Sequence, residues 1–280
     1  MADVIDGLTS YTLKHLRERW WDDAFNAFLS DTLRPRPGNR ILDVGCGEGI
    51  AEVSIGRRQI SQVRLIGVDI IFDKVLEASR TAASHNQRAG YAAGDARRLP
   101  FSDGAFDSVY CVAVLQHIDD VESAVSEFAR VTAVHGRVVA VEPDNATRFL
   151  HSSVPSGAVA FEASNRFFAA LNAGRNGDAG ASIGSAVPSL FARHGIEPVS
   201  VRLFPVPHTW LGPPPDAAWT SRRQAVTHAM EQSGAHNVFA AGCEYLDALE
   251  VYREEANAAG ASFVEIQNTL LFATVGQRQA

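Results

Sequence analysis

The chemistry-bearing stretch of this 280-residue chain is Arg40-Ile41-Leu42-Asp43-Val44-Gly45-Cys46-Gly47-Glu48-Gly49-Ile50. An apolar run ends in an aspartate, a glycine follows at every second position, and a helix-forming segment comes next. That order reads as a buried strand, a tight turn and a helix start. Glycines let the backbone approach a ligand closely, and the free N–H groups of a helix start favour an anionic group. The dinucleotide fingerprint is G-x-G-x-x-G. Here Ile50 stands where its third glycine would fall, and Glu48 sits poorly beside a pyrophosphate. A ligand with one carboxylate and a cationic centre suits the loop better.

Further polar groups stand at other strand ends. Arg64-Leu65-Ile66-Gly67-Val68 ends in Asp69, Gly90-Tyr91-Ala92-Ala93-Gly94 ends in Asp95, and Arg137 to Val141 leads into Glu142-Pro143-Asp144-Asn145. His117 follows the segment Asp107 to Leu115; a histidine titrates near 6.5 in the free state, which suits a proton acceptor at neutral pH. Glu142, Asp144 and Asn145 could bind a cationic or hydroxylated substrate, and Glu142 could equally anchor a loop.

The glycine stretch, with Asp69 closing the next strand, resembles motif I of the class I S-adenosylmethionine-dependent methyltransferases. The string from Gly94-Asp95-Ala96-Arg97-Arg98-Leu99-Pro100-Phe101 to Phe106-Asp107 resembles the small-molecule branch that includes the ubiquinone/menaquinone methyltransferases (methyltransferase type 11). The resemblance covers residues 38 to 142 well. It implies contacts to S-adenosylmethionine from Asp43, Gly45, Cys46, Gly47, Gly49, Asp69, Ile70, Asp95, Ala96 and Cys111. Asp69 would hold the ribose hydroxyls, Ile70 one face of the adenine and Asp95 its amino group, while Asp43 would accept from the loop or the methionyl ammonium. The implied reaction is in-line displacement of the methyl onto a small molecule, leaving S-adenosylhomocysteine, with His117 or Glu142 as candidates for proton removal.

These groups need an α/β scaffold. The expected fold is a Rossmann-like, mostly parallel seven-stranded sheet of order 3-2-1-4-5-7-6, its last strand antiparallel, with helical cap insertions. Ligands in such sheets bind outside the carboxyl ends of the strands. Apolar spacing predicts helix across residues 3 to 33, giving an N-terminal lid (1–37) before the core (38–144). A first cap insertion (145–185), a return to the core (186–204), a second insertion (205–260) and a last strand (261–280) follow. Pro205 to Pro215 reads as a stiff extended connector. Acceptor-site candidates are Tyr11, His15, Trp20, Asp144, Asn145, Phe168, His208 and Trp210. Phe161, Phe167 and Trp219 join them as aromatic candidates, although such side chains often simply form core.

Composition narrows the classes. Net charge is −7, only Lys14 and Lys74 are lysines, and there is no basic block, so nucleic acid is disfavoured as a partner. The pairs Arg57-Arg58, Arg97-Arg98 and Arg222-Arg223 read as solvated surface charge. Three widely spaced cysteines suggest neither a disulfide framework nor a zinc site, and no other metal is expected. No apolar run is long enough to span a bilayer and no signal peptide is expected, which points to the cytoplasm. A monomer or homodimer is expected. Three other readings stay open: a non-catalytic S-adenosylmethionine-binding protein, a nicotinamide oxidoreductase, and an RNA or protein methyltransferase.

Overall fold

The computed structural model describes residues 4–5, 8–9, 20–56, 63–173 and 183–280. It divides into two compact units. The core unit comprises Trp21–Asp144, Ser182–Phe204 and Leu271–Ala280; the second unit comprises Met1–Trp20, Asn145–Ala181 and Pro205–Leu270.

In chain order the elements are α1 (Asp23–Leu33), β1 (Arg40–Val44), α2 (Ile50–Gly56), β2 (Arg64–Asp69), α3 (Phe72–Ser84), β3 (Ala89–Ala93), β4 (Phe106–Val112), α4 (Val121–Val131), β5 (Thr132–Ser152), α5 (Pro155–Asn172), α6 (Val187–Arg193), β6 (Ile196–Leu211), α7 (Asp216–Ser233), α8 (His236–Ala259) and β7 (Val264–Arg278). The strands form one sheet of order 3-2-1-4-5-7-6. β1 pairs in parallel with β2 and β4, β2 with β3, and β4 with β5. Hydrogen bonds at both ends of β7 give its direction. Gln279 N, just past its end, donates to Gly195 O, just before β6, while Gly212 N, just past β6, donates to Phe263 O, just before β7. β7 therefore runs antiparallel to β6.

Parallel strands covered on both faces need apolar residues at nearly every position. Those of β4 and the inner part of β5 comply, with Val109, Tyr110, Cys111, Val138, Val139, Ala140 and Val141 all buried. On one face Leu42, Val44, Val109, Cys111, Val138 and Ala140 meet α4 and α6 through Val125, Phe128, Val131, Val187 and Phe191. Asp120 starts α4 by accepting the N–H of Ser123 at 3.0 Å, which satisfies one of the free donors of a helix start. Phe128 is completely buried, and its replacement by alanine would cost about 3–5 kcal/mol. Ser108 Oγ donates to Leu33 O at 3.1 Å, tying α1 to β4.

The second unit has its own core. Ala160, Trp219, Leu249, Tyr252, Ala256 and Phe263 form one cluster; Phe167, Val226, Ala229, Met230 and Val238 form another. Arg222 forks onto Glu265, whose second partner is the Tyr252 hydroxyl at 2.8 Å. The guanidinium also lies 4.9 Å from the Trp219 ring centroid. Arg222 is thus a half-buried member of a network centred on buried Glu265, not the solvated charge expected.

Two expected elements take a different form. Residues 3 to 33 are not one helix: Val4–Ile5 pairs antiparallel with Leu8–Thr9, and α1 begins only at Asp23, where Asp22 accepts the Phe25 N–H at 2.7 Å. The string Val4-Ile5-Asp6-Gly7-Leu8-Thr9 carries a hairpin signal, an Asp-Gly between β-forming residues, which outweighs the helical spacing. Pro205 to Leu211, expected as a connector, continues β6. Proline lacks the N–H a central strand needs and is confined to sheet edges; β6 is the edge strand.

Candidate functional site

The glycine loop leaves the carboxyl end of β1 and enters α2. Gly45, Gly47 and Gly49 all have left-handed backbones, with φ of 76°, 52° and 77°. Gly45 N and Cys46 N both donate to Val68 O, at 2.7 and 3.0 Å, so the end of β2 holds the first turn. The glycines differ in what surrounds them. A Cβ on Gly45 would lie 2.4 Å from Val114 Cγ2, and one on Gly49 would lie 3.1 Å from Ala78 Cα in α3. A Cβ on Gly47 would meet nothing within 4 Å. Gly45 and Gly49 therefore serve close packing, and Gly47 borders open space.

Asp69, at the end of β2, is the hinge pin of the loop. One carboxylate oxygen accepts Gly47 N–H at 3.0 Å and the other Ile71 N–H at 2.9 Å. A carboxylate offers roughly four acceptor positions, so two remain for a ligand hydroxyl pair. Ile70 beside it is 65% exposed, an apolar side chain presented to solvent. Glu48 is paired with Lys74 of α3 at 2.7 Å. Asp95 is held by Arg97 through Nε, Nη2 and the backbone N–H; the guanidinium, then that N–H, keep its carboxyl below the usual range. Ala96 next to it is partly exposed. Loop, open space at Gly47, spare acceptors on Asp69 and exposed Ile70 fit an adenosyl-amino-acid ligand; Asp95 fits only by sharing its oxygens with Arg97.

Behind the loop lies a buried acidic group. Glu142 is completely buried. Its carboxylate accepts the N–H groups of Val114 and Leu115 at 2.9 Å each and of Gln116 at 3.4 Å, and the Cys111 thiol donates to it at 3.6 Å. Glu142 therefore caps the short 3₁₀ turn Leu115–His117. Burial pushes its pKa up to about 7 against the opposing pull of those N–H groups. Burial, and then Glu142, raise the Cys111 thiol. This corrects two expectations: Glu142 faces inward and not toward an acceptor, and Cys111 is a buried donor to it with no exposed surface. Val114, on the capped turn, fills the space opposite Gly45, so Glu142 indirectly sets the height of the glycine loop. That Glu142 closes the apolar run Val138 to Val141 was visible in sequence; that β5 continues beyond it to Ser152, and that Glu142 faces inward, was not.

The remaining candidates separate. Asp43 is buried at the end of β1. Asp144 is buried and accepts Ser185 N–H at 3.1 Å, a tie within the core unit and not an exposed acceptor contact. His117 ends the capped turn and is exposed. Trp20 is partly buried. Tyr11 and His15 lie outside the described residues, as does the side chain of Asn145. In the second unit Phe168 packs on Phe167 at 5.3 Å between ring centroids, and Trp219 is buried with its N–H on Pro214 O. His208 stands edge-on to Trp210 at 5.3 Å, and both are partly exposed. Phe167 and Trp219 are thus core, while Phe161, Phe168, His208 and Trp210 are half-buried, Phe161 and Trp210 packing against the same cluster.

Arg97, expected as solvated surface charge, instead steadies Asp95, and Lys74 steadies Glu48. The signal for Arg97 was its place two residues after Asp95. The chain also contains Gly180-Ala181-Ser182-Ile183-Gly184, the spacing of a hydrolase nucleophile elbow; residues 174–182 lie outside the described residues. Among the described residues no group of three or more His, Cys, Asp or Glu could hold a metal. Among them no helix is long and apolar enough to cross a membrane.

A family model described as a methyltransferase domain matches residues 42–140. The demethylmenaquinone methyltransferase of Mycobacterium marinum is 31% identical over 148 residues, covering 51% of this chain and 58% of that protein. The chain thus spans little more than half of that relative's length. A putative methyltransferase of Bacillus halodurans shares the fold with a TM-score of 0.58 at 16% identity, over 92% of this chain and 100% of that one. A [4+2]-cyclase shares it with a TM-score of 0.53 at 18% identity, over 92% of this chain and 82% of that one.

Proposed function

We propose, from the match of residues 42–140 to a methyltransferase domain, that this chain is a class I S-adenosylmethionine-dependent methyltransferase acting on a small molecule. When bound, S-adenosylmethionine supplies an electrophilic methyl group on a sulfonium whose departure leaves a neutral thioether. The observation that carries the reading is the tie of Gly47 N–H to Asp69 beside the open space at Gly47. Gly45, Cys46, Gly47 and Gly49 would shape the backbone cradle, Asp69 would take the ribose hydroxyls with its spare acceptors, and Ile70 would cover an adenine face. Asp95 and Ala96 would border the adenine edge.

Most of the protein's contribution to such a transfer is positioning, worth about 7–11 kcal/mol. Glu142 holds the Leu115–His117 turn without touching the reactants; it is a positioning residue. His117, at the exposed end of that turn, is the remaining candidate for accepting a proton from the acceptor. An acceptor that is already basic needs no such help. Small-molecule acceptors are favoured by the demethylmenaquinone methyltransferase relative and by the net charge of −7, which suits nucleic acid poorly.

Incubation with methyl-labelled cofactor and a metabolite extract tests this. Label appearing in a low-mass product supports it; label in RNA or protein alone, or in nothing, contradicts it. One second reading is cofactor binding without transfer, since the fold is shared with a protein named as a cyclase. Stoichiometric binding with no labelled product from any extract would select it.

A further inference from the structure

The amino ends of β1, β4 and β5 border a second cavity, at the opposite end of the strands from the glycine loop. Its volume is about 260 Å³, and Arg34, Arg36, Asn39, Asp107, His135 and Arg137 are among its walls. β1 has five residues, which at about 3.3 Å each separates the two strand ends by roughly 15 Å. This cavity is therefore not part of the glycine-loop site.

Three features set it apart. The first is charge. Three guanidiniums and one carboxylate line it, on a chain whose net charge is −7. The carboxylate, Asp107, accepts the Arg40 backbone N–H at 2.8 Å. Among the described residues no carboxylate forms a salt bridge with Arg34, Arg36 or Arg137. Burial, and then the neighbouring Arg34, hold the Arg137 guanidinium below its usual range. The second is a bulge. Between Phe106 and Ser108 of β4 the partner on β5 jumps from Thr132 to Arg137, so Ala133 to Gly136 loop out of the ladder at the cavity wall. Such bulges re-aim side chains next to sites. The third is backbone conformation. Four described non-glycine residues have left-handed φ, and two of them, Arg34 at 45° and His135 at 64°, face this one cavity. Gln277 Nε2 donates to His135 O at 3.0 Å and fixes the bulge.

Bringing uncompensated guanidiniums together costs electrostatic energy that a bound anion recovers, and arginine forks suit tetrahedral oxyanions. Pockets for drug-sized ligands run from about 300 Å³ upward, so this one suits a smaller group. We propose that the cavity binds a phosphate or phosphomonoester group, through Arg34, Arg36 and Arg137.

Calorimetric titration of the full chain tests this, with inorganic phosphate and with glycerol phosphate, against chloride of matched ionic strength. Saturable one-site binding is expected, weakened at least about tenfold in R34Q and in R137Q, with S-adenosylmethionine affinity unchanged in both. A tighter glycerol phosphate would assign the site to phosphomonoesters, and equal affinities to free phosphate. If R137Q does not fold, R34Q and R36Q, at exposed positions, carry the same comparison. No saturable heat, equal affinity in the variants, or binding of an oligoribonucleotide but not of phosphate would overturn the proposal.

Discussion

Glu142 shows how far one buried carboxylate reaches. Its native pKa, about 7, lies above the ordinary 4.5, so the folded chain holds this proton more tightly than the unfolded one. The stability it contributes is full below about pH 4.5 and is lost as pH rises through 7. Asp95, Glu122 and Glu127 are shifted the other way; stability from those groups is lost only at more acid pH. Urea unfolding at pH 5 and pH 8 should therefore show a fall in stability on the order of 2 kcal/mol that disappears in E142Q, which cannot titrate. An unchanged pH slope in E142Q would remove Glu142 as its source. E142A leaves three backbone N–H groups without an acceptor, and should lose more stability than E142Q at pH 5, by about 1–3 kcal/mol. For His117, a kcat loss above about 100-fold in H117A would mark a proton acceptor; a loss under threefold would leave it a bystander at the turn.

At the scale of the element, the glycine loop separates packing from binding. Gly45 and Gly47 both need left-handed backbone, which costs a non-glycine residue about 1–2 kcal/mol. Only Gly45 also faces a clash, with Val114 at 2.4 Å. G45A should lose a further 1–3 kcal/mol or so of folding stability. G47A should fold nearly as well as its backbone allows, yet lose S-adenosylmethionine affinity, because its methyl occupies the open space. Thermal melting and cofactor titration of the pair check this; equal cofactor affinity in G47A and wild type would place the ligand elsewhere. In the second unit, E265Q leaves the half-buried Arg222 without a full counter-charge and should cost about 1–3 kcal/mol, read as a lower urea midpoint.

Much of the core could be read from the residues. Strand ends rich in carboxylate, such as Val68-Asp69, mark both the sheet and its ligand edge, and α3 was legible to its terminal residues because Val75, Ala78 and Ala82 keep helical spacing. What escaped was direction and partnership. Strand alternation does not tell whether Glu142, after the apolar run of β5, faces a capped turn or solvent. Arg222 is 43 residues from Glu265, so nothing local distinguished it from its exposed neighbour Arg223. The N-terminal pairing of Val4–Ile5 with Leu8–Thr9 escaped because a helical spacing that begins at Leu13 was extended back over the Asp6-Gly7 turn signal.

For the whole molecule, the core unit carries the residues that fit the cofactor, and the second unit carries aromatic side chains spent largely on its own packing. His208 and Trp210 on β6 are only half-buried; a changed product spectrum in H208A and W210A, with cofactor affinity unaltered, would tie them to acceptor choice. On the proposed function, S-adenosylmethionine occupies the Gly47–Asp69 corner. Calorimetric titration of wild type and D69A, each first shown folded by its melting curve, tests it most directly. The expected result is one cofactor per chain in wild type, with affinity at least about tenfold weaker in D69A, two charge-assisted hydrogen bonds being lost. No binding to wild type, or equal affinity in folded D69A, would contradict it.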